Sequence, residues 1–163
     1  MPSAPAVVRR MVGVARDDGA TVVVSLDCGH QRHVRHRPPL HEHPWVVDDA
    51  QCRERIGGQL ECFACGQRRL PEHARVHRST RVFDEHDVPR ALRSEHTTKD
   101  GVWGRLVVEQ GELVVEFAPP LSARVPGRPQ TPVIIPPSVV HRVVLAGPVR
   151  FRVELLSIQQ GDG

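Results

Sequence analysis

Cys62 and Cys65, separated by two residues and followed by Gly66, have the spacing of a metal-binding knuckle. Two intervening residues let both sulfurs turn toward one ion, and glycine relieves the tight turn behind them. Cys28-Gly29-His30, at the end of an apolar strand-like run, offers a second pair. Cys28, His30, Cys62 and Cys65 could together make a closed tetrahedral Cys3His zinc site, which would be structural rather than catalytic. On spacing alone His33, His36 and Cys52 compete with His30 for the fourth position. The rival reading of Cys62 and Cys65 is a redox pair or two buried thiols. Redox motifs sit at a helix N-terminus in a βαβ setting, however, whereas a short strand leads into this one. In a small module with a thin core, bound metal would supply much of the folding free energy.

A second set of chemistry-bearing residues lies downstream. His96 precedes a strand-like segment through Val102-Trp103-Gly104-Arg105, and His141 opens another after Pro136-Pro137. Histidines held by rigid strands can fix an ion while leaving positions open for a small ligand. Lys99 is the one lysine beside 21 arginines, which suggests a role for a compact ammonium. Lys99, Trp103 and Arg105 are the expected ligand contacts, although Trp103 fits better as a packing residue than as a substrate platform. Between residues 30 and 43, arginines alternate with histidines. They could face a polyanion, but no aromatic residues interleave them for base stacking, and a solvated loop explains them as well.

The elements that must hold these residues are mostly strands. Valine dominates the apolar set, and prolines and glycines interrupt helical periodicity throughout. Strands are expected at 6–16 and 21–27, joined by a turn at Asp17-Asp18-Gly19, with a helix at 48–56 and a short strand at 59–61. Pro71 opens a brief helix over 71–78. Beyond it, short strands are expected at 80–84, 102–109, 112–118, 121–125, 131–135, 139–145 and 149–157, with Gln110-Gly111 as a hairpin turn. The fold class is mainly β: a small zinc-knuckle or ribbon-like module at 1–72, a linker at 73–79, a small β-barrel at 80–158 and a flexible tail at 159–163.

Composition narrows the function classes. Hydrophobic content of 39% with 25% charged residues excludes a disordered chain. Twelve arginines against nine acidic residues fall before residue 79, and the remainder balances to zero. This asymmetry supports a boundary near residue 78, but it makes only a slight case for a nucleic-acid partner. Ala6-Val7-Val8 is cut short by Arg9-Arg10 and does not read as a secretory leader. No apolar run reaches membrane-spanning length, so no membrane partner is expected, the location is expected to be cytoplasmic, and the cysteines are expected to be reduced. Exposed barrel edges would favour a homodimer.

Two resemblances extend this reading. Cys28-Gly-His-Gln-Arg-His-Val-Arg-His-Arg-Pro-Pro, then His43-Pro44-Trp45-Val46 and Cys62-x-x-Cys65, resemble a family of small bacterial proteins of unassigned activity, over roughly residues 10–68. That family commonly has Arg before Pro-Trp, where this chain has His43. The stretch His96-x-Thr98-Lys99-x-Gly101-x-Trp103-Gly104, with Gly111-Glu112-Leu113 and Ile135-Pro136-Pro137 leading to His141, resembles the cupin-like family related to the tellurite-resistance protein TehB, over about residues 80–157. A full cupin signature has His-x-His and then Glu, where this chain has His96 alone. The resemblance implies a divalent metal (zinc, iron or nickel) held by His96 and His141, with Glu154 as third ligand or hydrogen-bonding support. It implies a stress-response protein binding a small molecule or oxyanion. The alternatives are a metal-dependent enzyme acting on a small acid, and a regulator whose zinc module binds nucleic acid or protein.

Overall fold

The computed structural model describes residues 5–158, so the tail expected at 159–163 lies outside the described residues. The chain is mainly β, a four-stranded module followed by a curled six-stranded sheet. Strand β1 (Val7–Asp18) turns directly into β2 (Thr21–Leu26), with Asp18 opposite Thr21 as the hairpin signal required. Period-two alternation sets the strand: Val7, Arg9 and Met11 face inward, while Val8, Arg10 and Val12 are exposed. Strand β3 (Gln31–Arg35) occupies part of the polar run expected to be a loop, and only Val34 on it is buried. Helix α1 (Asp49–Arg55) begins where the Asp48 carboxylate accepts hydrogen bonds from the amides of Ala50 and Gln51, at 2.9 and 3.1 Å. Strand β4 (Gln59–Cys62) returns along β1, giving the order β3-β2-β1-β4 and setting Cys62 opposite Val7. The four-residue α2 (Phe63–Gly66) follows at once.

The segment expected first as a helix and then as a linker is a strand, β5 (Ala74–Ser79). Only Ala74 on it is buried, so it carried no alternation to reveal it. Strand β6 (Phe83–Asp84) and α3 (Arg90–Arg93) precede β7 (Val102–Phe117). Then come β8 (Ala123–Gly127), β9 (Val133–Ile135) and β10 (His141–Ile158). The sheet order is β5-β10-β7-β8, with β6 along β10 and β9 along β7.

Gln110-Gly111 is not a hairpin turn, which corrects the sequence expectation. Residues on both sides of it form one strand, paired with β10 from Val102 opposite Ser157 to Phe117 opposite His141. Gly111 instead bends the strand. Its φ is 80°, and a Cβ there would lie 2.1 Å from the Pro148 carbonyl oxygen. Strand β10 bends opposite, with register shifts between Leu145 and Val149 and between Arg150 and Phe151. Two long strands bent at facing points curl the sheet and bring His141 beside the segment leading into β7.

One contiguous buried cluster runs from Val7 through Trp103 to Leu156, so the two sheets share a core. Among the described residues, no helix is long and apolar enough to cross a membrane.

Candidate metal centre and ligand cavity

Three separate elements deliver the four knuckle residues. Cys28 and His30 follow β2, Cys62 ends β4, and Cys65 lies in α2. Their ligand atoms all lie within 4.8 Å of one another, and they form a set that could hold a metal ion such as zinc. With Zn–S near 2.3 Å and Zn–N near 2.0–2.1 Å, a tetrahedral site has S···S edges of about 3.8 Å and N···S edges of about 3.5 Å. The Cys28 and Cys62 sulfurs are 3.8 Å apart. His30 Nδ1 is 3.4, 3.4 and 3.6 Å from the sulfurs of Cys28, Cys62 and Cys65. The sulfurs are too far apart for a disulfide, and all four cysteines are free.

The tautomer suits a metal. His30 Nε2 lies 2.7 Å from the Arg69 carbonyl oxygen. That oxygen can only accept, so Nε2 carries a proton, and Nδ1 offers its lone pair to an ion once its own proton is displaced. Gly66 lets α2 close over the site, because a Cβ there would meet the Pro5 carbonyl oxygen at 1.5 Å. Burial alone would lower the His30 pKa, but hydrogen bonds and charge at Cys28 and Cys62 outweigh it and raise it to about 9. Hydrogen bonds from Cys28 and Cys65 push the Cys62 thiol down, while Cys28 and Cys62 push the Cys65 thiol up. Three thiols this close resist full ionisation unless a cation joins them.

Arg9 was not picked out by the sequence reading. It is 7% exposed, and its Nε donates to the Cys65 sulfur at 3.4 Å. Three thiolates, one neutral imidazole and a divalent ion sum to one negative charge, and the buried guanidinium balances it. The available signal was an arginine in the inward register of an alternating strand.

Of the candidates for the fourth position, His30 is the one whose ring lies among the three sulfurs. His33 faces outward on β3, and His36 Nδ1 accepts from the His43 amide. Cys52 sits in α1, its thiol donating toward the Trp45 and Val46 carbonyls.

His96 and His141 meet at a backbone bridge, each amide donating to the other's carbonyl at 3.0 and 2.9 Å. Their ring centroids are 4.2 Å apart. Each Nδ1 lies 2.8 Å from a carbonyl two residues back, Ser94 for His96 and Val139 for His141. Each Nδ1 therefore carries the proton and each Nε2 is left with a lone pair. His141 is 3% exposed, and burial pushes its pKa down to about 4, with a further push from His96. Both rings line a cavity of about 390 Å³, together with Thr98 and Lys99.

The other expected contacts lie elsewhere. Glu154 pairs with Arg105 at 3.0 Å, and neither lines the cavity. Its neighbours Val153 and Leu155 do line it, so strand alternation turns Glu154 to the opposite face. His96 and His141 thus have each other but no third protein donor beside them; the knuckle residues are the one metal-capable group of three or more among the described residues. Trp103 is fully buried, with its edge against His30 and its Nε1 donating to the Cys28 carbonyl at 2.8 Å. It is a packing residue that ties the curled sheet to the knuckle.

No curated protein matches the chain. The crystal structure of a protein from E. coli (strain K12) superposes with a TM-score of 0.52 at 17% identity, over 56% of this chain and 98% of that one, a likeness of fold. The crystal structure of TehB from Haemophilus influenzae gives a TM-score of 0.49 at 21% identity, over 53% of this chain and 32% of TehB, so this chain spans about a third of that protein. Among family models, residues 12–69 match a protein of unknown function (DUF3565), and residues 78–153 match the TehB-like domain.

Proposed function

We propose that this chain binds a small acidic ligand or oxyanion in the cavity of its TehB-like half, as part of a tellurite-resistance-related response. In this reading Cys28, His30, Cys62 and Cys65 hold a structural zinc that fixes the N-terminal module. The observation that carries the reading is the gathering of two cationic side chains, Lys99 and Arg78, and three threonines around the His96–His141 pair in the lining of a single cavity. The TehB-like match over residues 78–153 supports the assignment to that response. Zinc fits the knuckle because its donor set, edge lengths and compensating Arg9 agree with a closed Cys3His site.

The two Nε2 lone pairs of His96 and His141 favour a second reading, a metal-assisted enzyme acting on a small acid. His96 and His141 would be the protein donors, and oxygens of the bound acid would complete the shell.

Calorimetric titration of protein purified without chelators tests the first reading, using tellurite and short carboxylates with wild type, His141→Ala and Lys99→Ala. Binding in wild type that weakens at least tenfold in both variants is expected. Binding of equal strength in all three proteins, or no binding at all, would overturn it. Turnover of the acid that depends on added divalent metal would move the assignment to the enzyme.

A further inference from the structure

We infer that the cavity ligand is an organic acid with a compact apolar body rather than a bare inorganic oxyanion; this rests on the reading of the cavity as the ligand site. The cavity divides into two chemically distinct parts. Its polar lining comes from the run 96–99, from His141 and from His77, Arg78 and Thr80, whereas Leu106, Ile135, Val143, Val153 and Leu155 supply aliphatic surface. Leu106, Ile135 and Val143 are almost completely buried, so this wall is core surface and not solvated rim.

Size makes a bare ion a poor fit to the whole cavity. At about 30 Å³ per water-sized group, a volume of about 390 Å³ holds about a dozen such groups. A pyramidal or tetrahedral oxyanion has four or five heavy atoms and would fill less than half of that space. Placed against aliphatic side chains, it would also lose hydration with no donor to replace it. An acid carrying several carbons matches both parts: its head meets the polar cluster, and its body leaves water to lie against the aliphatic side chains.

Thr98 marks where the head sits. Its hydroxyl is buried with no hydrogen-bond partner among the described residues, and Thr98 also lines the cavity, so a turn of its side chain brings the hydroxyl to a ligand there. A buried hydroxyl without a partner is uncommon, and an acid oxygen would satisfy it. At pH 7 the acid is a carboxylate, so Lys99 and Arg78 in the lining are its charge partners, and the Nε2 lone pairs of His96 and His141 donate nothing to it.

The test is calorimetric titration of the intact protein at pH 7 with acetate, butanoate, hexanoate and tellurite. Affinity should rise about fourfold per added methylene until the wall is covered, and hexanoate should bind more tightly than tellurite. Val153→Thr keeps side-chain shape and strand preference and should flatten that slope. Thr98→Val should weaken every carboxylate about tenfold or more without changing the slope. Melting temperatures close to wild type would establish that both variants fold. Tellurite binding as tightly as hexanoate, or carboxylate affinity independent of chain length, would overturn the inference while leaving the cavity reading in place. If neither tellurite nor any carboxylate binds, both fall.

Discussion

Replacing Arg9 with Met should weaken zinc binding by tens of fold while leaving the fold intact. Methionine keeps most of the buried volume and removes the charge that faces the cluster. The guanidinium Nε is 3.4 Å from the Cys65 sulfur. At about 4 Å and an effective dielectric near 20, a full charge pair is worth about 4 kcal/mol. That is an upper bound, because the negative charge is spread over three sulfurs and Arg9 also favours thiolate before any ion binds. Hydrogen-bonding neighbours of metal ligands are typically worth 10- to 100-fold in affinity, about 1.4 to 2.7 kcal/mol, and Arg9 falls in that range. Competition with a chromophoric zinc chelator at pH 7.4 gives the dissociation constants, and circular dichroism checks the fold. Arg9→Lys should recover part of the loss, since it restores charge but not the planar donor. Zinc affinity in Arg9→Met within twofold of wild type would refute the charge-balance argument.

Trp103→Phe leaves the buried Cys28 carbonyl without its 2.8 Å partner, at a cost of about 1–3 kcal/mol. In calorimetry the melting temperature should fall by several degrees in a single transition; an unchanged Tm would show that the contact contributes nothing. Gly111→Ala places a Cβ about 2.1 Å from the Pro148 carbonyl oxygen at a φ of 80°, and should destabilise the β7–β10 crossing by more than 2 kcal/mol in urea unfolding. An effect under 0.5 kcal/mol would mean that the bend adjusts freely. Burial holds His141 near pKa 4, below its ordinary 6.5, so the unfolded chain binds more protons between those values. Its contribution is complete above about pH 6.5 and declines as pH falls toward 4, by up to about 3 kcal/mol. His141→Gln should flatten the urea midpoint against pH over that window, and identical slopes would contradict the assignment.

The knuckle was legible because its information is local. Two residues between Cys62 and Cys65 fix the turn, and Cys28-Gly29-His30 ends an unmistakable apolar strand. The fourth ligand was not legible among His30, His33, His36 and Cys52, because the choice depends on which way β3 faces, and β3 has a single buried residue. Arg9 was invisible for a related reason: its partner lies 56 residues away. His96 and His141, expected as paired metal ligands, both line one cavity. The facing of Glu154 was not legible, because it depends on the phase of β10, and residues 152–155 are all half-buried with no alternation to set it. Gly111 misled because glycine serves both tight turns and close strand crossings, and only the opposing bend at Pro148 distinguishes them.

The account rests on two chemically separate sites in one fold, and elemental analysis tests that separation most directly. Protein purified without chelators should carry one zinc per chain, retained in His141→Ala and lost in Cys62→Ser. No zinc in wild type, or zinc lost equally from His141→Ala, would contradict it.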